Sequence, residues 1–487
     1  NYRDTYNRIR QVNFLLKNAQ NYSSPADIKV PVAEAKFFRA YLFFDLVQIY
    51  GDAIIVKEPL DIDSPELQRA QNPRGEVIDF VIQDLKDAIK DLPPYKSITG
   101  ADAGRVSAEA AEAFLSRVAL YEGTWQKFRE NEARAKELLG IAANAAENVI
   151  NGGAFSLFQP EKLGIYAYKY LFILENDKSN PESITKSGNT EYIFSRRYDE
   201  ILNPIGFNIS EGFLNKAVFM TRKMANMYLT AEGLPIDPTN AAMYATMTSE
   251  YENRDNRMQN IMMIAGRPYW GNSKGRVSWK DDAEDLALAL YQSFDPKSRS
   301  GYFFRKWATE RKVASTKEGY DFPIIRYAEV LLNYAEALFE LNADIGGNIT
   351  GDEKKIANGL AKLNLVRKRV NPEMSDLTIE FARQKGLNLR TEIRRERTIE
   401  LFHEGFRMDD LKRWNTAVNE MNQNMLGVKW KGTEFEKVWI DKTIITDAEG
   451  CIIMENGRQW ANRNYLYPLP TDQLKLNTNL KQNPGWE

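Results

Sequence analysis

Charged side chains that could do acid–base chemistry are densest between Thr391 and Trp414. The spacing predicts one helix over this range, with Glu396, Glu400 and Glu404 in a polar stripe beside an apolar edge. Burying such acids without partners costs too much free energy, so they must either face solvent or pair with bases. A solvated, salt-bridged surface helix is the ordinary structure for this pattern.

Nucleophilic and metal chemistry depend on residue types that this chain almost lacks. The 487 residues include one histidine, His403, and one cysteine, Cys451. The pair His403-Glu404 begins like a zinc-protease motif, but that motif needs a second histidine and the sequence has none. A single cysteine rules out a disulfide framework and a cysteine-rich zinc site, and its neighbours predict a buried thiol in a strand or turn. We therefore predict no catalytic residue, no metal site and no cofactor, and expect that the protein is not an enzyme.

Aromatic side chains in one loop offer a different chemistry, the binding of sugars. A pyranose presents an apolar C–H face ringed by hydroxyls, so its site needs flat aromatic platforms with polar groups at the rim. The segment 267–279 is the best such cluster, because it combines tryptophan and tyrosine with glycine and asparagine. The alternative is that these rings pack the interior, where most of an indole in a large domain usually lies. The predicted ligand-binding residues are Tyr269, Trp270, Asn272 and Trp279 from this segment, and Trp307 from a weaker cluster after it.

Composition narrows the possible functions further. Hydrophobic residues make up 43% and charged residues 27%, which is typical of a globular protein. The formal net charge of −2 argues against a nucleic-acid partner, for which a basic balance is expected. No apolar run reaches the ~18 residues that a membrane-spanning helix needs. Because the sequence starts at Asn1, inside a helical pattern, we interpret it as an N-terminally trimmed fragment, whose lack of a signal peptide says nothing about export.

Helical periodicity divides the chain into regular and irregular parts. Apolar residues recur at steps of three and four in two blocks, 1–150 and 322–414. Small residues where helices would cross suggest tetratricopeptide-like hairpins, about four in all. The remainder, 151–321 and 415–487, loses that period and contains short β-like pieces among glycine, proline and asparagine. We predict a mainly α fold, a single unit over 1–487, in which the helical hairpins pack against an irregular, loop-rich half with short β segments that faces the ligand.

The individual elements follow from the same spacing. Ser107 is the expected N-cap of the fourth helix, because its hydroxyl can accept a hydrogen bond from a backbone N–H of the first turn. The predicted helices cover 1–20, 32–50, 76–92, 107–125 and 131–150 in the first block, and 322–342, 352–370, 379–385 and 391–414 in the second. The predicted strands cover 191–195 and 277–279.

The order of short motifs along the chain resembles that of the SusD/RagB family, the surface glycan-binding lipoproteins of Bacteroidetes-type bacteria. The signature lies at 396–414, and PIIRYAEVLLNYAEALFE at 323–340 is similar throughout. Further similar stretches lie at 33–51, 104–121, 189–195, 232–235, 253–257, 465–470 and 483–486. We interpret the charges of these motifs as internal ion pairs that orient helices, rather than as ligand contacts. These charges are Glu34, Arg39, Glu396, Arg397, Glu400 and Arg407.

The resemblance also implies a function and a place in the cell. Members of that family are lipid-anchored in the outer membrane, face the cell exterior and pair with a SusC-like TonB-dependent transporter. The expected function is therefore capture of an oligo- or polysaccharide and its delivery to the transporter, without catalysis. The family's lipidated cysteine is absent from this fragment, so the anchor is implied by resemblance alone. Two alternatives stay open: an all-α glycoside hydrolase, which would need two carboxylates roughly 5–9 Å apart in a cleft, and a tetratricopeptide-type scaffold that binds a peptide.

Overall fold

The computed structural model describes residues 2–214, 218–267, 269–270, 275–276, 279, 300–438 and 444–487. Helices dominate it, which confirms the predicted mainly α fold. The helices are α1 (Tyr2–Ala19), α2 (Lys29–Tyr50), α3 (Arg74–Asp91), α4 (Ala108–Lys127), α5 (Glu132–Gly152), α6 (Ala167–Leu171), α7 (Ile209–Leu214), α8 (Arg222–Ala225), α9 (Asn256–Ile261), α10 (Tyr327–Leu341), α11 (Glu353–Lys368), α12 (Ile379–Gln384), α13 (Leu389–Glu400), α14 (Arg407–Arg413), α15 (Ala417–Met421), α16 (Glu434–Val438) and α17 (Thr471–Leu476). The strands are β1 (Tyr192–Arg196), β2 (Phe219–Met220), β3 (Tyr302–Phe303), β4 (Phe322–Arg326), β5 (Met425–Lys429) and β6 (Cys451–Glu455).

Within the described ranges, no helix is both long enough and apolar enough to cross a lipid bilayer.

Successive helices pack against one another in the two helical blocks. From α1 to α5, each helix contacts the next, and α10 lies against α4, α5, α11 and α13. Ser107 caps α4 as predicted, because its Oγ accepts a hydrogen bond from the Ala110 N–H at 3.1 Å. Small residues allow close crossings: a Cβ at Gly359 of α11 would lie 3.0 Å from the Cα of Ala335 on α10. This packing is compatible with the predicted helical hairpins.

The helix predicted over 322–342 begins only at Tyr327. Its first five residues instead form β4, which pairs antiparallel with β1. Pro323 and two β-branched isoleucines follow one another here, and such a run favours an extended chain over a helix. β1 confirms the strand predicted over 191–195, whereas the strand predicted over 277–279 lies mostly outside the described residues.

The single helix predicted over Thr391–Trp414 is wrong, because the chain turns in its middle. α13 ends at Glu400, and α14 begins at Arg407. Between them, His403 and Gly405 adopt positive φ angles of 59° and 91°, which an α-helix does not allow. Glycine enters this left-handed region without steric cost, so Gly405 favours the turn. The acids before and after the break therefore do not share one helical stripe.

The half predicted to be irregular has a hydrophobic core of its own. Buried side chains from 158–174, 258–264 and 302–308 pack there with Ile399 of α13. The region 415–487 is more regular than predicted, because β5 and β6 form an antiparallel hairpin beside three short helices. Cys451 opens β6 and is a buried free thiol, as predicted.

Candidate functional site

Two of the predicted sugar-binding residues, Tyr269 and Trp270, are closed to solvent. The structure describes Tyr269, Trp270 and Trp279, while Asn272 lies outside the described residues. Tyr269 and Trp270 expose only 9% and 3% of their surface. The Tyr269 hydroxyl donates to the Met262 carbonyl at 2.8 Å, and burial raises its pKa to about 12. Both rings pack the interior, and the sugar-binding role of this loop stays a prediction.

Trp279 keeps part of its ring accessible. It is half-buried and has a positive φ of 61°, a backbone conformation that is rare for a bulky residue. The Arg276 guanidinium lies 5.0 Å from the Trp279 ring and 4.1 Å from the Trp270 ring, so one cation contacts both indoles. Tyr170 meets Trp279 edge-on, with ring centroids 6.0 Å apart. Of the described predicted rings in this loop, Trp279 is therefore the best placed to reach a ligand.

Trp307 is also buried, with 5% of its surface exposed. Its Nε1 donates a hydrogen bond to Nδ1 of His403 at 3.1 Å, so that nitrogen is the acceptor of a neutral imidazole. Burial is the larger cause and the nearby Lys306 ammonium the smaller cause that lower the pKa of His403 to about 4. Trp307 also contacts Phe322, with ring centroids 5.1 Å apart, and Phe322 is 40% exposed. Trp307 thus lies behind a solvent-facing ring rather than at the surface.

The acids of α13 are buried in ion pairs, so the solvated-helix interpretation is wrong and the internal-pair prediction is confirmed for them. Glu400 accepts hydrogen bonds from Arg326 at 2.7 Å and from Arg257 at 3.1 Å. It also pairs with Arg369. Burial opposes ionisation of Glu400, but these three guanidiniums hold its pKa well below the ordinary value. The buried network, as we name it, consists of Glu191, Asp255, Arg257, Lys306, Arg326, Arg367, Arg369, Glu396, Glu400 and Glu404.

The remaining motif charges divide into buried and exposed pairs. Arg39 is buried and donates to both carboxylate oxygens of Asp84, at 2.7 and 2.9 Å. Glu34 differs, because its partner Arg105 has 41% of its side chain exposed. Arg407 is 37% exposed and lies 3.4 Å from an acid of α15. The internal-pair prediction therefore holds for Arg39, whereas Glu34 and Arg407 form solvent-facing pairs that contribute little to stability.

A groove of about 280 Å³ opens between α2, α4, β4 and the start of α14, and we name it the aromatic groove. Tyr41 and Phe322 line it and are 36% and 40% exposed, so each presents part of a ring to solvent. Tyr41 is stacked on the buried Phe114, with ring centroids 5.1 Å and planes 21° apart. Trp307 supports Phe322 from behind. These contacts hold both rings in fixed orientations, which suits the flat face of a ligand.

Three polar side chains of the aromatic groove have no partner within the described part of the chain. They are Asp45, Gln48 and Asp409. The groove's bases, in contrast, are already paired: Arg117, for example, donates to both carboxylate oxygens of Glu329 at 2.6 Å. The rim therefore offers hydrogen-bonding capacity and negative charge that the fold itself does not use.

The environment of the aromatic groove disfavours charge on Asp45 and Asp409. Burial raises the pKa of Asp45. Burial also raises the pKa of Asp409 to about 6, with Lys412 opposing the shift and the charges of Asp410 and Asp45 adding to it. Both carboxylates are thus shifted in the same direction. Among the described residues, no group of three or more histidine, cysteine, aspartate or glutamate side chains is placed to hold a metal ion.

The sequence pattern does not single out the exposed rings of the aromatic groove. Tyr41 lies four residues after Phe37 and three before Phe44, so helical spacing places it on their apolar side and predicts burial. Phe322 falls within a predicted helix, and its exposure follows only from its place at the start of β4. Whether Asp409 is paired depends on its tertiary neighbours, and no sequence pattern predicts it.

Comparison with sequence models of known families shows the relationship. A model described as the SusD family matches residues 172–486, more than half of the chain. The chain belongs to the SusD family. A second model, described as "Starch-binding associating with outer membrane", matches residues 1–120.

Relatives of this SusD-family protein are distant in sequence. A SusD-like protein of Bacteroides ovatus is 23% identical over 439 residues, which cover 88% of this chain and 67% of the relative. SusD-like protein P2 of Formosa agariphila is 24% identical over 468 residues, which cover 94% of this chain and 74% of the relative.

Two solved structures share the fold. A SusD-like carbohydrate binding protein from Bacteroides fragilis has a TM-score of 0.73 at 22% identity, over 99% of this chain and 85% of that one. Surface glycan-binding protein A from Bacteroides fluxus has a TM-score of 0.58 at 19% identity, over 99% of this chain and 84% of that one. At such identities the comparison establishes the architecture and not the ligand.

Proposed function

We propose that this SusD-family protein is a cell-surface glycan-binding protein that captures an oligo- or polysaccharide without catalysis. The observation that carries the proposal is the aromatic groove, where two partly exposed rings stand beside three polar groups that have no partner among the described residues. Two proteins of the same fold are named for carbohydrate or glycan binding, which supports the same class of ligand.

The aromatic groove has the parts that a sugar ring needs. Tyr41 and Phe322 would cover the apolar face of a pyranose. Gln48 can donate and accept hydrogen bonds with hydroxyls, and Asp45 can accept them. Because both rings are already held by neighbours, binding would order few side chains and lose little entropy. The volume lies just below the ~300–1,000 Å³ of typical ligand pockets, so the groove suits a short segment of a glycan.

The loop 267–279 is our proposed second contact with the glycan. Trp279 is the accessible ring there, and Arg276 beside it can donate hydrogen bonds to hydroxyls. The other predicted residues would act as buried support or rim groups for these two contacts, and they are Tyr269, Trp270, Asn272 and Trp307. Two weak contacts with one polymer would together bind it more tightly than either alone, because the first contact raises the effective concentration of the polymer at the second.

The proposed partner is a SusC-like TonB-dependent transporter in the outer membrane, to which the protein would pass its glycan. The proposed location is the outer face of that membrane, reached through a lipid anchor on a leading segment of a longer precursor. Family membership supports both proposals, and so does the description of the second matching model as associating with the outer membrane.

The hydrolase alternative is less well supported by the acids of the aromatic groove. A glycoside hydrolase pairs a carboxyl group of raised pKa with a second one that stays ionised, so their environments push the two pKa values apart. Burial raises the pKa of both Asp45 and Asp409 instead, and Glu404, whose pKa is lowered, has both carboxylate oxygens held by Lys306 and Arg326. The peptide-scaffold alternative leaves the separate core of the irregular half without a role.

Affinity electrophoresis against a panel of plant, host and microbial polysaccharides tests the proposal. We expect one polymer to retard the protein. Tyr41→Ala and Phe322→Ala should reduce that retardation, and Trp279→Ala should reduce it if the loop takes part. Tyr22→Ala is the matched control, because Tyr22 is 49% exposed and does not line the groove.

The outcomes separate the functions. Retardation that survives both groove substitutions but is lost with Trp279→Ala or Trp270→Ala would move the site to the loop. Because Trp270 is buried, a melting curve must show that the Trp270→Ala variant is folded. Release of reducing ends from the bound polymer, abolished by Asp409→Asn, would replace the proposal with the hydrolase. No retardation by any polymer would contradict glycan capture by this chain alone.

A further inference from the structure

Two carboxylates in the aromatic groove have bases in their surroundings, Arg8 for Asp45 and Lys412 for Asp409, but no base of the described chain lies within ion-pair distance of them. Asp45 on α2 and Asp409 on α14 both line it, and within the described ranges neither makes an ion pair. Lys412, one turn after Asp409, holds its ammonium over the ring of Tyr467, 5.1 Å from the centroid. The acids of the buried network all meet bases, so this pair of charges needs a different explanation.

We infer that the aromatic groove selects a sugar residue that carries a positive charge, an amino sugar with a free ammonium group. The inference rests on the proposed function and names the ligand class of that same groove. The ammonium group would lie against Asp45 and Asp409, while the sugar ring covers Tyr41 and Phe322.

The acids argue for a cation. A neutral sugar would displace water from both carboxylates without supplying a countercharge, which costs free energy. An ammonium group supplies that charge, and the faces of Tyr41 and Phe322 attract a cation as well. Both the charges and the rings of the groove therefore favour the same kind of ligand.

The rings argue for a sugar rather than for the lysine or arginine of a protein partner. A cationic side chain would reach the acids with one narrow group and leave much of Tyr41 and Phe322 uncovered. A pyranose covers such ring faces with its C–H groups, and its hydroxyls can reach Gln48 at the rim. A groove of about 280 Å³ also holds a ring more fully than it holds a single ammonium group.

The protonation of Asp409 gives an independent readout. Burial raises its pKa to about 6. The charged groups that face it are Lys412, Asp410, Asp45, Arg413 and Arg117. A bound ammonium group stabilises the carboxylate, so binding of the charged tetramer should lower the pKa of Asp409, which NMR titration of the free and bound protein measures.

Isothermal titration calorimetry at neutral pH with a β-linked glucosamine tetramer, its N-acetylated form and cellotetraose tests the inference. We expect the charged tetramer to bind at least about tenfold more tightly than either neutral one. Asp409→Asn and Tyr41→Ala should each weaken its binding about tenfold. Asp63→Asn and Tyr22→Ala are matched controls, because both residues are exposed outside the groove and should leave the affinity unchanged.

Three results would overturn the inference while leaving glycan binding intact. The neutral tetramers could bind as tightly as the charged one. Binding of the charged tetramer could survive both groove substitutions, which would place the cation elsewhere. Tetralysine could bind as tightly and lose affinity in the same variants, which would make the occupant a cationic side chain. If no glycan of either kind binds and no polysaccharide of the panel retards the protein, the proposed function itself fails.

Discussion

The buried network and the aromatic groove adjoin at Glu404, and they treat their acids in opposite ways. In the network, Glu400 contacts three guanidiniums, which hold its pKa well below the ordinary value. In the groove, Asp409 has no ion pair within the described ranges, and burial raises its pKa to about 6. Both acids belong to one short stretch of sequence, so their spacing does not distinguish them. Their tertiary neighbours distinguish them.

The comparison separates the charges of the buried network, which stabilise the fold, from those of the aromatic groove, which do not. The bases of the network come from distant segments, with Arg257 on α9, Arg326 at the end of β4 and Arg369 after α11. Their pairs join the irregular half to the helical blocks. An unpaired carboxylate stabilises nothing of this kind, and proteins keep such locally unfavourable features mainly at functional sites.

Breaking the buried network should have the largest effect on stability. Arg326→Met removes a base that pairs with three buried acids, which are Glu191, Glu400 and Glu404. We expect the free energy of unfolding to fall by about 3–5 kcal/mol, the usual loss when one partner of a buried pair is removed. Urea denaturation followed by circular dichroism measures the change.

Arg383→Met is the matched control for that experiment. The Arg383–Glu353 pair is exposed, with 57% and 51% of its side chains accessible. Its loss should lower the free energy of unfolding by less than about 1 kcal/mol. Equal losses in the two variants would show that burial does not distinguish these pairs.

Removing the groove carboxylate should act in the opposite direction. Because the pKa of Asp409 is raised to about 6 in the folded protein, its charged form destabilises the fold at neutral pH. Asp409→Asn removes that penalty but also loses an acid from the first turn of α14. We expect a net gain of about 1–2 kcal/mol in the free energy of unfolding.

The pH dependence of that gain checks its origin. The gain should be full above about pH 6 and should vanish by about pH 4, where the wild-type carboxyl group is protonated. Urea denaturation of both proteins at the two pH values measures it. A variant that is less stable than wild type at neutral pH would mean that Asp409 has a stabilising partner.

His403 lies between the two regions and should titrate far below its ordinary pKa. Its pKa is about 4 in the folded protein, because burial and the Lys306 ammonium disfavour the charged ring, and it is roughly 6.5 in an unfolded chain. As the pH falls, the unfolded state therefore binds the proton first. Stability should drop as the pH falls from about 7 to about 5.5, by less than about 1 kcal/mol because solvent screens the exposed part of the imidazole.

The chain's single histidine makes this prediction easy to measure by NMR, because only one imidazole titrates. His403→Asn is the informative variant, since asparagine tolerates the positive φ of this position and removes the titrating group. It should abolish that part of the pH dependence. A measured pKa near the ordinary value would contradict the hydrogen bond that Trp307 donates to His403 and the nearness of Lys306.

Much of the helical scaffold is predictable because its information is local. The Ser107 cap and the apolar spacing of α4 lie within a few residues of one another. The prediction of secondary structure fails where a distant segment determines the backbone conformation. Phe322–Arg326, for example, is extended because β1 pairs with it. It also fails at the turn through His403 and Gly405, where charged residues keep a helical spacing that the backbone does not follow.

The candidate site is less predictable because exposure and pairing are tertiary properties. Trp270 has the composition of a sugar platform around it, yet it is buried beside Arg276. Tyr41 looks like one more aromatic residue of a helix until the fold leaves part of its ring in a groove. Nothing local distinguishes the unpaired Asp409 from its paired neighbour Asp410.

The smallest effect on stability should come from a ring of the aromatic groove. Tyr41 is 36% exposed, and its hydroxyl has no hydrogen-bond partner in the described part of the chain, so Tyr41→Ala should lower the free energy of unfolding by less than about 1 kcal/mol. Phe114, the ring beneath it, is 1% exposed, and Phe114→Ala should cost about 3–5 kcal/mol. Urea denaturation of both variants measures the contrast. Similar losses would make Tyr41 a core residue, whereas a stable Tyr41→Ala variant that no longer binds glycan would mean that the ring serves the ligand and not the fold.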